Sequence, residues 1–176
     1  MKIVVDAMGG DYAPGVVVKG AIEAVKECAN MEIILVGDEE KIKSRLKEFR
    51  YDGSGISIAH AQEVIEMSES AATSVRRKRN SSIVVGVNLV KEGKAEAFFS
   101  AGNTGAVVCA ATLGLGLLSG VERPGIAIIT PTLKGISLIV DVGANIDAKP
   151  LHLLQYGIMG SAYLENIFNV PNPSVG

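Results

Sequence analysis

The sequence predicts an α/β fold, a mostly parallel sheet with helices on both faces. Two observations carry this. Short β-branched runs alternate with stretches of helical periodicity from the first residue onward. The runs are apolar on consecutive positions, as strands covered on both sides must be. The chain of 176 residues is long enough for one ordinary domain with a true core, and residues 1–176 are read as a single α/β domain.

The elements follow in order. Lys2 to Val5 reads as a buried strand. Pro14 to Cys28 reads as a helix, with Pro14 near its first turn and Val17, Val18, Ala21, Ile22 and Val25 along one face. Glu32 to Val36 is a second strand. Asp38 caps a charged helix running to Phe49, with Ile42, Leu46 and Phe49 as its apolar stripe. The Gly53-Ser54-Gly55 turn leads to a strand at Ile56 to Ala59. The stretch from Gln62 to Asn80 is polar and carries no clear period. Ser81 or Ser82 opens a helix to about Glu92, which Gly93 ends. Ala97 to Phe99 is a strand, and Asn103 to Leu118 a helix rich in Ala and Gly, suited to close packing. Ile126 to Thr130 and Ser137 to Val140 are strands, and Pro150 opens a last helix to about Asn166.

Composition narrows the function classes. Hydrophobic residues make up 48% and charged residues 20%, a globular profile. The formal net charge of −2 and the absence of Trp argue against a nucleic-acid partner. The longest apolar stretch, Ala106 to Leu118, is interrupted by Thr112, Gly114 and Gly116 and falls short of the roughly 20 residues of a membrane span. No signal peptide is read at the N-terminus, where Asp6 interrupts the apolar run. A soluble protein is expected. Cys28 and Cys109 form neither a disulfide framework nor a metal-ligand spacing.

In open parallel sheets ligands bind beyond the carboxyl ends of the strands. Three such junctions carry glycines and short polar side chains: Asp6-Ala7-Met8-Gly9-Gly10-Asp11, Ser100-Ala101-Gly102-Asn103-Thr104-Gly105, and Asp141-Val142-Gly143-Ala144-Asn145. Parallel strands are expected to bring all three to one edge. The second leads straight into a helix, whose first N–H groups and partial positive charge suit an anion. Ser100, Asn103 and Thr104 add neutral donors, making an oxyanion cradle without a basic side chain. The plainer alternative is that Asn103 or Thr104 caps the helix and the glycines serve tight packing. Asp11 could be the N-cap of the first helix. Asp6 and Asp141 stand at strand ends and could hold a metal, orient a donor, or pair with Arg76 or Lys78. Arg76-Arg77-Lys78-Arg79 is either a solvated face balanced by Glu63, Glu66 and Glu69 or a docking patch for an acidic partner or a substrate phosphate. His60 and His152 read as structural. Cys109 reads as a small core residue rather than a nucleophile.

Five blocks carry a family resemblance: Val5-Asp6-Ala7-Met8-Gly9-Gly10-Asp11 with Ala13-Pro14; Val75 to Ser82; Ser100 to Ala106; Arg123-Pro124; and Asp141 to Asp147. In this order and spacing the chain resembles the PlsX family of phosphate:acyl-acyl-carrier-protein acyltransferases. The resemblance implies a fold related to isocitrate and isopropylmalate dehydrogenases and to phosphotransacetylase, a homodimer, and a cytoplasmic or membrane-surface location. It implies transfer of a fatty acyl group from acyl carrier protein to inorganic phosphate at the start of bacterial phospholipid synthesis. The product passes to a membrane glycerol-3-phosphate acyltransferase. Such a reaction requires no metal and no cofactor. Carried onto this sequence, Ser100, Gly102, Asn103, Thr104 and Gly105 hold phosphate, and Asp6, Gly9, Gly10 and Asn145 line the same cleft. Asn103 and Asp6 are the catalytic candidates. Arg76, Arg77 and Lys78 meet the carrier or its phosphopantetheine. Family members are longer, and the tail Pro171-Asn172-Pro173 to Gly176 reads as cut before a further strand. The rival readings are a phosphotransacetylase-like enzyme acting on coenzyme A thioesters, and a binding module without turnover.

Overall fold

The computed structural model describes residues 1–133 and 135–176. Backbone contacts group the chain into two compact units, Met1–Gly116 and Leu117–Gly176.

The first unit is built on four parallel strands. They are β1 (Lys2–Asp6), β2 (Glu32–Gly37), β3 (Ile56–His60) and β4 (Ala97–Phe99), in the order β3-β2-β1-β4. β1 lies between β2 and β4, pairing Val5 with Leu35 on one side and with Phe99 on the other. Successive side chains of a strand face opposite ways, and here both ways are covered. On one face Val5, Ile33 and Leu35 pack with Val18, Ala21 and Ile22 of α1 (Gly15–Glu27) and Ile42 of α2 (Glu39–Glu48). On the other, Val4 and Val36 are buried with Ala61 and Ala95, and Val85, Leu89 and Val90 pack against them. These last three belong to a helix following α3 (Ala71–Arg77), namely α4 (Ser82–Lys91). The α/β class, the parallel sheet and the helices on both faces are as the sequence predicts.

Local chemistry sets the helix ends. The Asp38 carboxylate accepts from the N–H groups of Glu40 and Lys41, and the Ser81 hydroxyl from that of Val84. Asp11 is not a cap, because residues 10–13 form a turn closed by Ala13 N–H on Gly10 O, and α1 begins only after Pro14. α5 (Thr104–Leu115) stops three residues earlier than its composition suggests, where Gly116 turns to φ +84°. Its small residues do serve close packing. A Cβ on Gly114 would stand 2.8 Å from Val87 of α4, and Ala106 and Ala110 are buried.

Gly86 of α4 lies under the Phe98 ring, where a Cβ would lie 2.3 Å from Cε2 and 2.7 Å from Cδ2. Phe98 borders both core clusters on this face and has little room to move. Gly86→Ala is therefore expected to destabilise the unit by about 1–3 kcal/mol despite the better helix propensity of alanine. Urea unfolding checks this, with a lowered midpoint and an unchanged slope as the expected result.

The second unit is a hairpin and a helix. β5 (Ala127–Thr132) and β6 (Gly135–Val140) pair antiparallel in a sheet of their own, and α6 (Pro150–Phe168) packs on β6. This corrects one expectation. The strand before Asp141 is not part of the parallel sheet, so the topological reason for placing Asp141 to Asn145 on the edge shared by the other two junctions does not hold.

Asp141 organises the turn after β6. Its Oδ1 accepts from the N–H groups of Ile126 (2.8 Å) and Ala144 (3.1 Å), and its Oδ2 from Asn145 N–H (2.8 Å) and Asn145 Nδ2 (3.2 Å). Burial opposes its ionisation, but the backbone donors outweigh it and hold the carboxyl below the usual carboxylate range. A group whose folded value is lowered stabilises fully above its unfolded value, near pH 4, and the stabilisation is lost as pH falls through the folded value. Asp141→Asn is thus expected to lower stability at neutral pH, with the gap to wild type closing in acid. A gap that stays constant down to about pH 2 contradicts this linkage.

Candidate active site

The candidate site lies where β1 and β4 end side by side. Adjacent parallel strands deliver their following loops to one place, and here an acid joins them. Asp6 is 1% exposed. Its Oδ1 accepts from Met8 N–H (3.0 Å) and its Oδ2 from the Ser100 hydroxyl (2.7 Å). Ser100 Oγ in turn accepts from Gly102 N–H (3.0 Å). The buried carboxylate thus finds the partners its burial demands in a backbone amide and a hydroxyl. It clasps the β1–α1 loop to the β4–α5 loop. The two backbones meet at Gly9, where a Cβ would lie 2.7 Å from Gly102 N and 2.6 Å from Asp6 Oδ2. Gly10 adopts φ +99°, a region that glycine enters without steric cost.

Asn103 is the N-cap of α5 and 8% exposed. Its Oδ1 accepts from Ala106 N–H (3.0 Å). Its Nδ2 faces three carbonyls of one loop, those of Glu66 (3.1 Å), Met67 (3.4 Å) and Glu69 (3.1 Å). Asn103 therefore does what the capping alternative said, and more. An aspartate would cap as well but could not donate to the loop. Next to it, the N–H groups of Thr104 and Gly105 meet no protein acceptor among the described residues, and both residues are exposed. The N–H groups of Gly9 and Gly10 likewise have none.

The loop that Asn103 holds is the stretch the sequence left without a reading. It is pinned at both ends. Glu63 pairs with the α4 entrance through Asn80 N–H on its carboxylate (3.1 Å) and Ser82 N–H on its carbonyl (3.1 Å). Lys78 donates to Val64 O (2.7 Å) and to the Glu69 carboxylate (2.5 Å), and its ammonium holds Glu69 below the usual carboxylate range. Residues 64–68 thereby form one wall of a cavity of about 460 Å³, with Met8 to Asp11 and Gly102 opposite. No periodicity signals this wall. The only hint is the run of glutamates that the basic segment has to answer.

The other expected residues fall as follows. Arg76 and Arg77 are exposed and form no ion pair among the described residues, whereas Lys78 is bound within the unit. Among the described residues neither Asp6 nor Asp141 forms an ion pair with a basic side chain. Asn145 sits in the second unit, where its Nδ2 donates to Pro124 O (2.7 Å) and to Asp141. Cys109 packs against the α4–α5 core. His152 is buried, accepts Lys149 N–H on Nδ1 and faces Glu122 through Nε2. Among the described residues no group of three or more His, Cys, Asp or Glu side chains gathers at metal-binding distance. No helix of the described residues is long and apolar enough to cross a membrane.

The α/β fold of this chain is shared by two solved structures. The EutD phosphotransacetylase from Staphylococcus aureus aligns with TM-score 0.67 at 21% identity, covering 93% of this chain and 52% of that one. A phosphotransacetylase from Streptococcus pyogenes aligns with TM-score 0.68 at 21% identity, covering 97% and 55%. At that identity the likeness is one of fold. The whole chain, residues 1–176, matches the family described as fatty acid synthesis protein, and the chain belongs to that family, the PlsX family. A phosphate acyltransferase from Dictyoglomus turgidum is 52% identical over 176 residues, covering 99% of this chain and 52% of the relative. One from Desulfitobacterium hafniense is also 52% identical, covering 100% and 52%. The chain spans about half the length of these curated relatives.

Proposed function

We propose that this chain carries the phosphate cradle of an acyltransferase that moves a fatty acyl group from acyl carrier protein to inorganic phosphate. The observation that carries the reading is the α5 N-terminus, where the amides of Thr104 and Gly105 stand uncommitted beside a rigid glycine junction. Helix N-termini favour anions through both their N–H groups and their dipole. The family and the relatives named phosphate acyltransferase supply the substrate class.

The chemistry asks little of side chains. A phosphate oxygen attacks the thioester carbonyl carbon, a C–O bond forms, the C–S bond breaks, and the sulfur leaves with the electron pair as thiolate. A thiol pKa of about 8.5 makes that leaving group tolerable at neutral pH. What remains is positioning, which can supply on the order of 7–11 kcal/mol, and stabilisation of the developing oxyanion. On this reading Thr104 and Gly105 contact phosphate directly, with the Gly9-Gly10 turn beside them. Ser100, Gly102, Asn103 and Asp6 hold the cradle in shape. Arg76 and Arg77 meet the acidic carrier or its phosphopantetheine phosphate. A homodimer and delivery of the product to a membrane glycerol-3-phosphate acyltransferase belong to the same proposal, as does a cytoplasmic or peripheral location.

The test is a donor comparison, following acyl phosphate as its hydroxamate. Acyl carrier thioester with phosphate should give product, and the coenzyme A thioester much less. In Asn103→Ala the cap and the loop anchor are both lost, so the KM for phosphate should rise about tenfold or more, with the cap itself costing about 1 kcal/mol of stability. Wild-type kinetics in that variant, or turnover with coenzyme A alone, would contradict the proposal.

A further inference from the structure

The cavity between the Gly9-Gly10 turn and residues 64–68 has a charge pattern that phosphate binding does not use. Its volume of about 460 Å³ is that of a small-molecule site. The apolar residues at its lining are Met8, Val64, Ile65 and Met67, and the charged residues at its lining are Asp11 and Glu66, with no cation among them. A phosphate dianion here would face two like charges and no cation, which disfavours it. A neutral ligand with an apolar stem and a few amides meets no such penalty, and the two methionines adapt to its shape. Gly102, one residue from the α5 cap, is part of the same lining. The cavity thus adjoins the cradle while differing from it in charge.

We propose that this cavity takes the neutral, amide-bearing arm of the acyl donor, the pantetheine chain next to the thioester, while phosphate sits at the α5 N-terminus. The proposal rests on the acyl-transfer reading above. Its wall is preformed. Asn103 fixes the carbonyls of Glu66, Met67 and Glu69, and Lys78 fixes that of Val64. A wall already ordered adds no ordering cost on binding. Asn103 is then a positioning residue for both ligands, since one side chain caps the phosphate helix and anchors the donor wall. Attack needs the thioester carbon beside the phosphate oxygen, and a shared anchor sets that spacing.

The experiment uses S-acyl pantetheine, which carries neither phosphate nor carrier, and inorganic phosphate as separate titrants in calorimetry. Met67 and Ser68 are exposed, so Met67→Trp and Ser68→Trp fill the cavity without disturbing the core. Each is expected to weaken S-acyl pantetheine about tenfold or more while phosphate affinity changes less than about twofold. Unchanged pantetheine binding in both variants, a loss confined to phosphate, or no binding of S-acyl pantetheine to wild type would overturn the assignment. Wild-type binding of the thioester without any binding of phosphate keeps the donor site and removes the cradle, so the two readings fail separately.

Discussion

Gly9→Ala should disable phosphate binding while leaving most of the secondary structure in place. The methyl group would meet Asp6 Oδ2 at 2.6 Å, Gly102 N at 2.7 Å and Ser100 Oγ at 2.9 Å. One of these is backbone and the other two belong to the buried clasp, so none is a flexible side-chain end that can swing aside. The β1–α1 and β4–α5 loops must separate, and overpacking of this kind costs about 1–3 kcal/mol. The functional loss should exceed the loss of stability, because a displacement of about 1 Å at a cradle is felt in full by its ligand. Phosphate affinity is expected to fall at least about tenfold, with a far-UV dichroism spectrum like wild type. A variant that binds phosphate normally would show that the close approach at Gly9 is not part of the site.

Asp6→Ala should be strongly destabilising to the first unit. It leaves Met8 N–H and the Ser100 hydroxyl without their acceptor in a position 1% exposed. Each orphaned buried group costs about 1–3 kcal/mol, so a total loss of about 2–6 kcal/mol is expected. Asp6→Asn separates the structural role from a chemical one. Asparagine keeps one acceptor for Met8 N–H and presents an amide that Ser100 Oγ can accept, so part of the clasp survives. If Asp6 only positions, Asp6→Asn should recover stability and turnover together. Turnover lost in a stable Asp6→Asn protein would instead assign the carboxylate a part in the reaction itself.

Much of this was legible in residue order. Alternation of β-branched runs with 3.6-residue periods carries the parallel sheet, because burial on both faces writes itself into consecutive apolar positions. Asp38 was readable as a cap, and Ser81 and Asn103 each as one of two neighbouring candidates, because capping is local chemistry. The glycine loops after β1 and β4 do meet, as parallel neighbours must. What could not be read was non-local. Asp6 reaches Ser100 across 94 positions of sequence. Asn103 reaches the 66–69 carbonyls across more than 30, and no period marks a loop held by a distant amide. The same limit explains Lys78. A run of four basic residues does not show which of them turns inward to Glu69 and Val64 and which remain exposed. The strand before Asp141 was recognised as a strand, but its partner and direction depend on a hairpin that composition alone does not distinguish from a crossover.

In the proposed function the amides at the start of α5 that meet no protein acceptor receive the phosphate. Titration of the ¹⁵N-labelled chain with orthophosphate tests it most directly. The amide resonances of Thr104 and Gly105, with those of Gly9 and Gly10 beside them, should shift saturably with phosphate and stay in place with chloride at matched ionic strength. If those amides do not move while phosphate shifts others elsewhere, or if chloride shifts them equally, the α5 N-terminus is a capped helix end and not the phosphate site.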